Sequence, residues 1–314
     1  MDRRHFLQAS ALAGGSLLGA ATAPGTAASS LLGSEAEHDF HFHYAPSPGQ
    51  FDAHAGPDLV DQIAFMAEQG FTAFEDNGMR TRSVQEQTRI GEALREHDMR
   101  MGVFVAHSIS WKEPSLTTGE PEPHQRFLDE IRSSVQVAQR ADATWMTVVP
   151  GARDPRLDDG FETANLVETL RKAADILEPH NLVMVLEPLN NRRDHPRQFL
   201  THTAQAYQIC RAVDSPACKI LYDMYHQQIT EGNLIPNFDA ARDEIGYVQV
   251  GDNPGRNEPT TGEINFQNIF EHLHETGYDG IVGMEHGMSG EGTAGEQAVI
   301  DAYVSVDSFD TSGS

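Results

Sequence analysis

From residue 38 onward, short apolar runs alternate with longer segments whose apolar positions recur every three or four residues. Runs of the first kind suit strands buried on both faces, and segments of the second kind suit amphipathic helices. The alternation therefore predicts βα units on a parallel sheet. Strands are predicted at residues 40–44, 71–75, 101–106, 145–149, 182–187, 219–223, 246–250 and 281–285. Eight strands in regular alternation with helices favour an α/β fold of the (β/α)8 TIM barrel class over an open doubly wound sheet.

The helical stripes between these runs are read as core-facing. Leu59, Ile63 and Met66 share one face of a helix that Gly70 ends, and Ser83 with Glu86 has capping-box spacing ahead of the next. Phe127, Ile131, Val135 and Ala138 form a further stripe, and Phe266, Ile269, Phe270 and Leu273 another that stops at Gly277. No domain-sized linker interrupts the pattern, so residues 38–314 are expected to form one barrel domain with a short irregular C-terminal tail. The longest predicted loop, residues 112–123, follows the third strand, where a barrel places a cover over its active site.

The first 28 residues stand outside that pattern. Asp2-Arg3-Arg4-His5-Phe6-Leu7-Gln8 precedes an Ala/Gly/Leu run and small residues through Ala28. This reads as a cleaved twin-arginine export signal over residues 1–28, which would place the protein in the periplasm or outside the cell. The run is too short and too rich in Gly and Ala for a good membrane span, so no stable membrane anchor is expected.

Composition narrows the partners. The chain carries 47 acidic and 22 basic residues, a formal charge of -25. Such a charge repels phosphate backbones and anionic lipid, and no basic run offsets it, so nucleic acid is not an expected partner. Salt adaptation and ordinary surface solubility account for the acidity equally well. Cys210 and Cys218 are the only cysteines. That count excludes a disulfide framework and leaves either one bridge or two buried thiols.

The last four predicted strands each end on a metal-competent side chain: Glu187, Asp223, Gln249 and Glu285. One such acid alone reads equally well as a helix cap. Four at the carboxyl ends of consecutive strands can converge on one ion, because adjacent strands lie about 4.8 Å apart. An all-oxygen set suits a hard divalent cation, Mg²⁺ or Mn²⁺. His226 and Arg256 lie close by in sequence and are assigned to substrate binding, Arg256 as a planar fork for a carboxylate or hydroxyls. Their plainer readings are a satisfied buried histidine and a surface ion pair of Arg256 with Glu258. Glu258 and Glu263 are read as loop-structuring acids. His41, His43, His107 and Glu75 are second-rank site residues, the first two because they share one side of strand one. Motifs for serine hydrolases, zinc proteases and phosphate loops are absent from the sequence.

Three stretches carry a resemblance: Glu187-Pro188-Leu189-Asn190, Tyr222-Asp223-Met224-Tyr225-His226, and Val248-Gln249-Val250-Gly251-Asp252-Asn253-Pro254-Gly255-Arg256. In order and content they resemble the hydroxypyruvate isomerases of the xylose isomerase-like barrel superfamily. The resemblance implies that Glu187, Asp223, Gln249 and Glu285 hold the metal and that Glu187 and Glu285 also move the proton. Glutamine at the seventh strand is similar to hydroxypyruvate isomerase, whereas D-tagatose 3-epimerases carry histidine there. The implied activity is a divalent-metal-dependent aldose–ketose type isomerase that acts on a small hydroxy-carbonyl compound through a metal-stabilised enediolate. The alternatives are a ketose 3-epimerase or other sugar isomerase, a metal-dependent hydrolase, and an exported non-catalytic sugar-binding barrel. A small-molecule substrate is the expected partner, and a homo-oligomer is left open.

Overall fold

Eight parallel strands form the centre of the protein in the computed structural model, which describes residues 37–309. The predicted export signal lies outside the described residues. The strands are β1 (His43–Ala45), β2 (Ala73–Phe74), β3 (Arg100–Met101), β4 (Trp145–Val148), β5 (Val183–Leu186), β6 (Cys218–Asp223), β7 (Ile245–Gln249) and β8 (Ile281–Gly283). Six of them pair in the order β1-β8-β7-β6-β5-β4, and β2 pairs with β3. Parallel bridges from Met101 to Ala143 and from Val105 to Thr147 carry the β3 segment onto the β4 segment. On the other side, the Glu75 amide donates to the Pro46 carbonyl at 3.0 Å. The circuit closes, and the fold is the (β/α)8 barrel that the hydrophobic pattern predicts.

The layers follow from that pattern. Ala45, Ala73, Val103, Val185, Leu221, Tyr247 and Ile281, from seven of the eight strand segments, pack together as the barrel interior. The opposite strand faces join a larger core with the helices. These are α1 (Asp52–Ala55), α2 (Leu59–Glu68), α3 (Val84–Glu96), α4 (Pro121–Ala141), α5 (Asp159–Leu177), α6 (Thr203–Val213), α7 (Met224–Thr230), α8 (Leu234–Ala241), α9 (Phe266–Glu275) and α10 (Gly292–Val306). The predicted caps form: Ser83 Oγ accepts from the Glu86 amide at 3.2 Å, and Gly70 and Gly277 take positive φ just past α2 and α9. Among the described residues no helix is long and apolar enough to cross a membrane.

One local difference from the predicted elements has a physical cause. The first strand begins at His43 rather than residue 40, because the Tyr44 amide turns back to the Phe42 carbonyl. Phe40 instead stacks on Phe71, at 5.2 Å between ring centroids. Cys210 and Cys218 are both free and buried, with their sulfurs 4.0 Å apart.

Candidate active site

The carboxyl ends of β5 to β8 deliver the four predicted residues to one region. Glu187 directly follows β5, and Pro188 behind it cannot extend the ladder. Asp223 ends β6 and caps α7: its Oδ1 accepts the amides of Tyr225 and His226 at 2.8 and 3.2 Å, which leaves Oδ2 for the site. Gln249 ends β7 in register with Asp223 on one side and Gly283 on the other. Glu285 lies two residues beyond β8. Glu187, Asp223 and Gln249 are buried, and the Glu285 side chain is 27% exposed.

Donor atoms of Glu187, Asp223 and His226 lie within 4.8 Å of one another, a spacing that can hold a metal ion. Glu285 faces Arg256 instead. Arg256 Nη2 donates to Glu285 Oε2 at 2.7 Å and to Asp223 Oδ2 at 3.1 Å, and its Nε reaches the Glu285 carbonyl at 3.2 Å. The guanidinium lies over the Tyr225 ring at 4.8 Å. Arg256 thus pairs with two predicted metal ligands rather than with Glu258, whose carboxylate accepts from the backbone amide and hydroxyl of Ser289. Glu263 accepts from Gln228 and Asn253, which makes both acids structural parts of their loops. Asp252 fixes this loop, with Oδ1 accepting the Asn253 and Ile264 amides and Oδ2 the Gly262 amide.

His226 has a defined tautomer. Its Nδ1 faces both the Asn190 backbone amide at 3.3 Å and the Asn190 side-chain amide at 2.7 Å, so Nδ1 accepts and Nε2 carries the proton. That Nε2 lies 3.7 Å from Glu187 Oε1 and 3.6 Å from Asp223 Oδ2. Burial, ahead of any neighbouring charge, lowers the His226 pKa to about 4. The ring is therefore neutral at pH 7.

The carboxylates are crowded. Burial first, and then the negative charges of Glu285 and Asp223, push Glu187 well above the ordinary carboxyl range. Glu285 is pushed up to about 7, again by burial first, with Arg256 opposing and Asp223 reinforcing the shift. Glu75 lies fully buried beside them and is raised by burial and then by Glu285. Arg256 is their only close cation among the described residues, and the carboxylates outweigh its own burial to hold it above the usual arginine value. A set of carboxylates with one guanidinium has unmet demand for positive charge.

One atom tests whether a cation fits. Gln249 Nε2 donates to Glu75 Oε1 at 2.7 Å, so the carboxamide has a fixed orientation, and its Oε1 is buried without a hydrogen-bond partner. Buried carbonyl oxygens are rarely left in that state. A hard cation takes up such an oxygen together with the carboxylates of Glu187, Asp223 and Glu285, so the residues present suit Mg²⁺ or Mn²⁺.

The second-rank residues divide. Glu75 belongs to the site. His41 and His43 do not: His41 bonds Asp307, His43 Nδ1 contacts Thr72 Oγ1 at 2.7 Å, and both line a cavity with His274, Tyr278 and Asp279. They precede or start β1, so they lie at the amino end of the barrel, away from the catalytic mouth. His107 is buried against Phe127, with its Nε2 facing the Val149 amide. Asn77, which no motif in the sequence marks, donates from Nδ2 to Glu285 Oε1 at 2.9 Å. Nor does a motif mark Trp111 and His195, whose rings stack at 4.9 Å between centroids. His195 in turn lies 5.4 Å from His226. The long loop after β3 thus touches the loop after β5 beside His226.

Fold and site together define a (β/α)8 barrel with a cluster of largely buried carboxylates and one arginine at the carboxyl ends of its strands. The family model for the xylose isomerase-like TIM barrel matches residues 63–303, and the chain belongs to that family. Among curated relatives, the putative hydroxypyruvate isomerase of Homo sapiens is 40% identical over 246 residues, 76% of this chain and 88% of that one. The hydroxypyruvate isomerase of Escherichia coli is 34% identical over 166 residues, 53% of this chain. The aligned parts span about two thirds of two relatives' length, 64% for the E. coli protein and 65% for one from Danio rerio. A crystal structure described as AP endonuclease, family 2 from Brucella melitensis superposes with a TM-score of 0.71 at 25% identity. It covers 81% of this chain and 96% of that one.

Proposed function

We propose that this protein is a divalent-metal-dependent isomerase that moves a carbonyl between adjacent carbons of a small hydroxy-carbonyl acid, with hydroxypyruvate as the substrate of choice. The observation that carries this reading is the buried, unpartnered Oε1 of Gln249, which ends β7 in register with Asp223, in a chain whose relatives bear the hydroxypyruvate isomerase name. Glu187, Asp223, Gln249 and Glu285 would hold the cation. When bound, it supplies the positive charge that polarises the substrate carbonyl and its neighbouring hydroxyl.

The chain's own residues then have defined tasks. Glu187 and Glu285 come from β5 and β8, with two strands between them, and so flank the reacting carbons. One carboxylate removes a proton from the hydroxyl-bearing carbon, and the resulting enediol receives a proton on the former carbonyl carbon with help from the other. For hydroxypyruvate this converts a 2-oxo-3-hydroxy acid into a 2-hydroxy-3-oxo acid with no net gain or loss of atoms. Carboxyls raised toward neutrality suit such transfers at pH 7. His226, neutral and donating from Nε2, orients a substrate oxygen. Arg256 offers its guanidinium to the substrate carboxylate. A charge of -25 argues against a nucleic acid substrate.

The test is proton NMR of hydroxypyruvate incubated with Mg²⁺-loaded protein. The expected result is a new 3-oxo species that accumulates with the protein and stops when EDTA is added. Metal-loaded protein that leaves hydroxypyruvate unchanged would reject this substrate, and a ketose panel would then separate an epimerase from a binding protein.

A further inference from the structure

Glu75 has no role in the reaction described above, yet the barrel is built around it. It follows β2 directly and is fully buried. Its Oε1 accepts from Gln249 Nε2 at 2.7 Å and its Oε2 accepts from Tyr247 Oη at 2.8 Å. Two glycines make room for this arrangement. A Cβ on Gly283 of β8 would land on Glu75 Oε2, and one on Gly102, just after β3, would land on Tyr247 Oη. Four strand segments therefore contribute to the placement of one carboxylate that faces no solvent.

A carboxylate in this position is costly unless its oxygens are used. Both are, and both accept from β7 side chains. The consequence falls on Gln249. A carboxamide has an oxygen end and a nitrogen end of nearly equal size, and only the oxygen end suits a cation. Tyr247 Oη occupies Glu75 Oε2, and Glu75 Oε1 accepts from the nitrogen end of Gln249, which turns the amide Oε1 the other way. That Oε1 is the buried atom left without a partner.

We infer that Glu75 is a positioning residue that fixes the Gln249 carboxamide with its oxygen toward the cation, making glutamine a dependable ligand on β7. The inference rests on the metal-site reading above and assigns Glu75 no contact with substrate. It also accounts for the glycines, since alanine at either position would displace the carboxylate or its tyrosine partner.

The experiment is calorimetric titration of metal-free protein with Mn²⁺, comparing wild type, Glu75→Gln, Glu75→Ala, Gln249→Ala and the Glu75→Ala/Gln249→Ala double variant. Partners that orient a ligand commonly change metal affinity by 10- to 100-fold. Glu75→Gln keeps an acceptor for Gln249 and is expected to bind Mn²⁺ within about threefold of wild type, whereas Glu75→Ala binds at least tenfold more weakly. The double variant is expected to bind no more weakly than Gln249→Ala alone, because Glu75 acts only through that amide. Equal losses in Glu75→Gln and Glu75→Ala would show a simple charge effect and overturn the inference, as would additive losses in the double variant or unchanged affinity in Glu75→Ala. Wild-type protein that binds no Mn²⁺ would defeat the metal-site reading itself, and the inference with it. If Glu75→Ala does not fold, the Gln249 side-chain amide protons of the wild type decide. Positioning predicts slow exchange and a shift on Mg²⁺ addition, and fast exchange without a shift contradicts it.

Discussion

Glu187 and Glu285 differ in their surroundings although both follow barrel strands. Glu285 is tied to Arg256 and Asn77, while Glu187 faces His226 at 3.7 Å and is raised mainly by burial. Replacing either by glutamine keeps shape and removes proton transfer, so each variant is expected to lose at least about 100-fold in kcat with a smaller change in KM. Steady-state kinetics check this, and a loss confined to KM would move that residue from catalysis to binding. His107 gives a pH prediction remote from the four strand-end residues. Its pKa is lowered to about 4, first by burial, against about 6.5 in the unfolded chain. Its contribution to stability is complete above pH 6.5 and is lost as pH falls toward 4, because the unfolded chain then takes up the proton first. Relative to His107→Gln, the wild type is expected to lose on the order of 3 kcal/mol between pH 7.5 and 4. Urea unfolding at several pH values measures the gap, and a constant gap would contradict the assignment. At this scale the sequence exposed the four strand-end candidates because each ends a clear apolar run. Glu75 ends one too, but its partners Tyr247, Gly102 and Gly283 come from strands far away in sequence. His41 and His43 misled because alternation reports a side of the strand, not an end of the barrel.

The elements explain why the predicted and observed strands differ in length while the fold agrees. Strands β2 and β3 are only two residues each, yet the chain continues extended beyond them, with the Gly102 amide on the Phe74 carbonyl at 2.8 Å. Apolar periodicity recorded the extended path, whereas the number of ladder bonds depends on neighbours that a single sequence does not display. Helix packing gives a further prediction. A Cβ on Gly91 of α3 would strike the Arg140 carbonyl of α4, so these helices approach backbone to backbone. Gly91→Ala is expected to destabilise by about 1 to 3 kcal/mol despite its better helix propensity. A thermal melt with an unchanged or raised midpoint would contradict that close approach. The loop after β3 was legible from its length and composition. Its means of contact, the Trp111–His195 stack, was not, because the two residues are remote in sequence. Trp111→Ala is expected to raise KM more than it lowers kcat, and a pure kcat loss would argue against the cover.

At the scale of the whole molecule, carboxylates dominate. The -25 charge and the crowded acidic site both predict that cations stabilise the fold. Mn²⁺ at a free concentration 100 times its dissociation constant should add about 2.7 kcal/mol to unfolding free energy. EDTA should remove that increment, and the effect should disappear in Gln249→Ala if that residue is a principal ligand. We also propose that residues 1–28 direct export by the twin-arginine route. Fractionation of cells expressing wild type and an Arg3→Lys/Arg4→Lys variant tests this, and an unchanged distribution would reject it. Solvent deuterium reports on proton transfer at the substrate carbon. Hydroxypyruvate incubated in D₂O with the Mn²⁺-loaded protein is predicted to gain carbon-bound deuterium at a rate that falls at least 100-fold in Glu285→Gln. Protein that holds Mn²⁺ yet leaves hydroxypyruvate and a panel of ketoses free of deuterium would contradict the isomerase account.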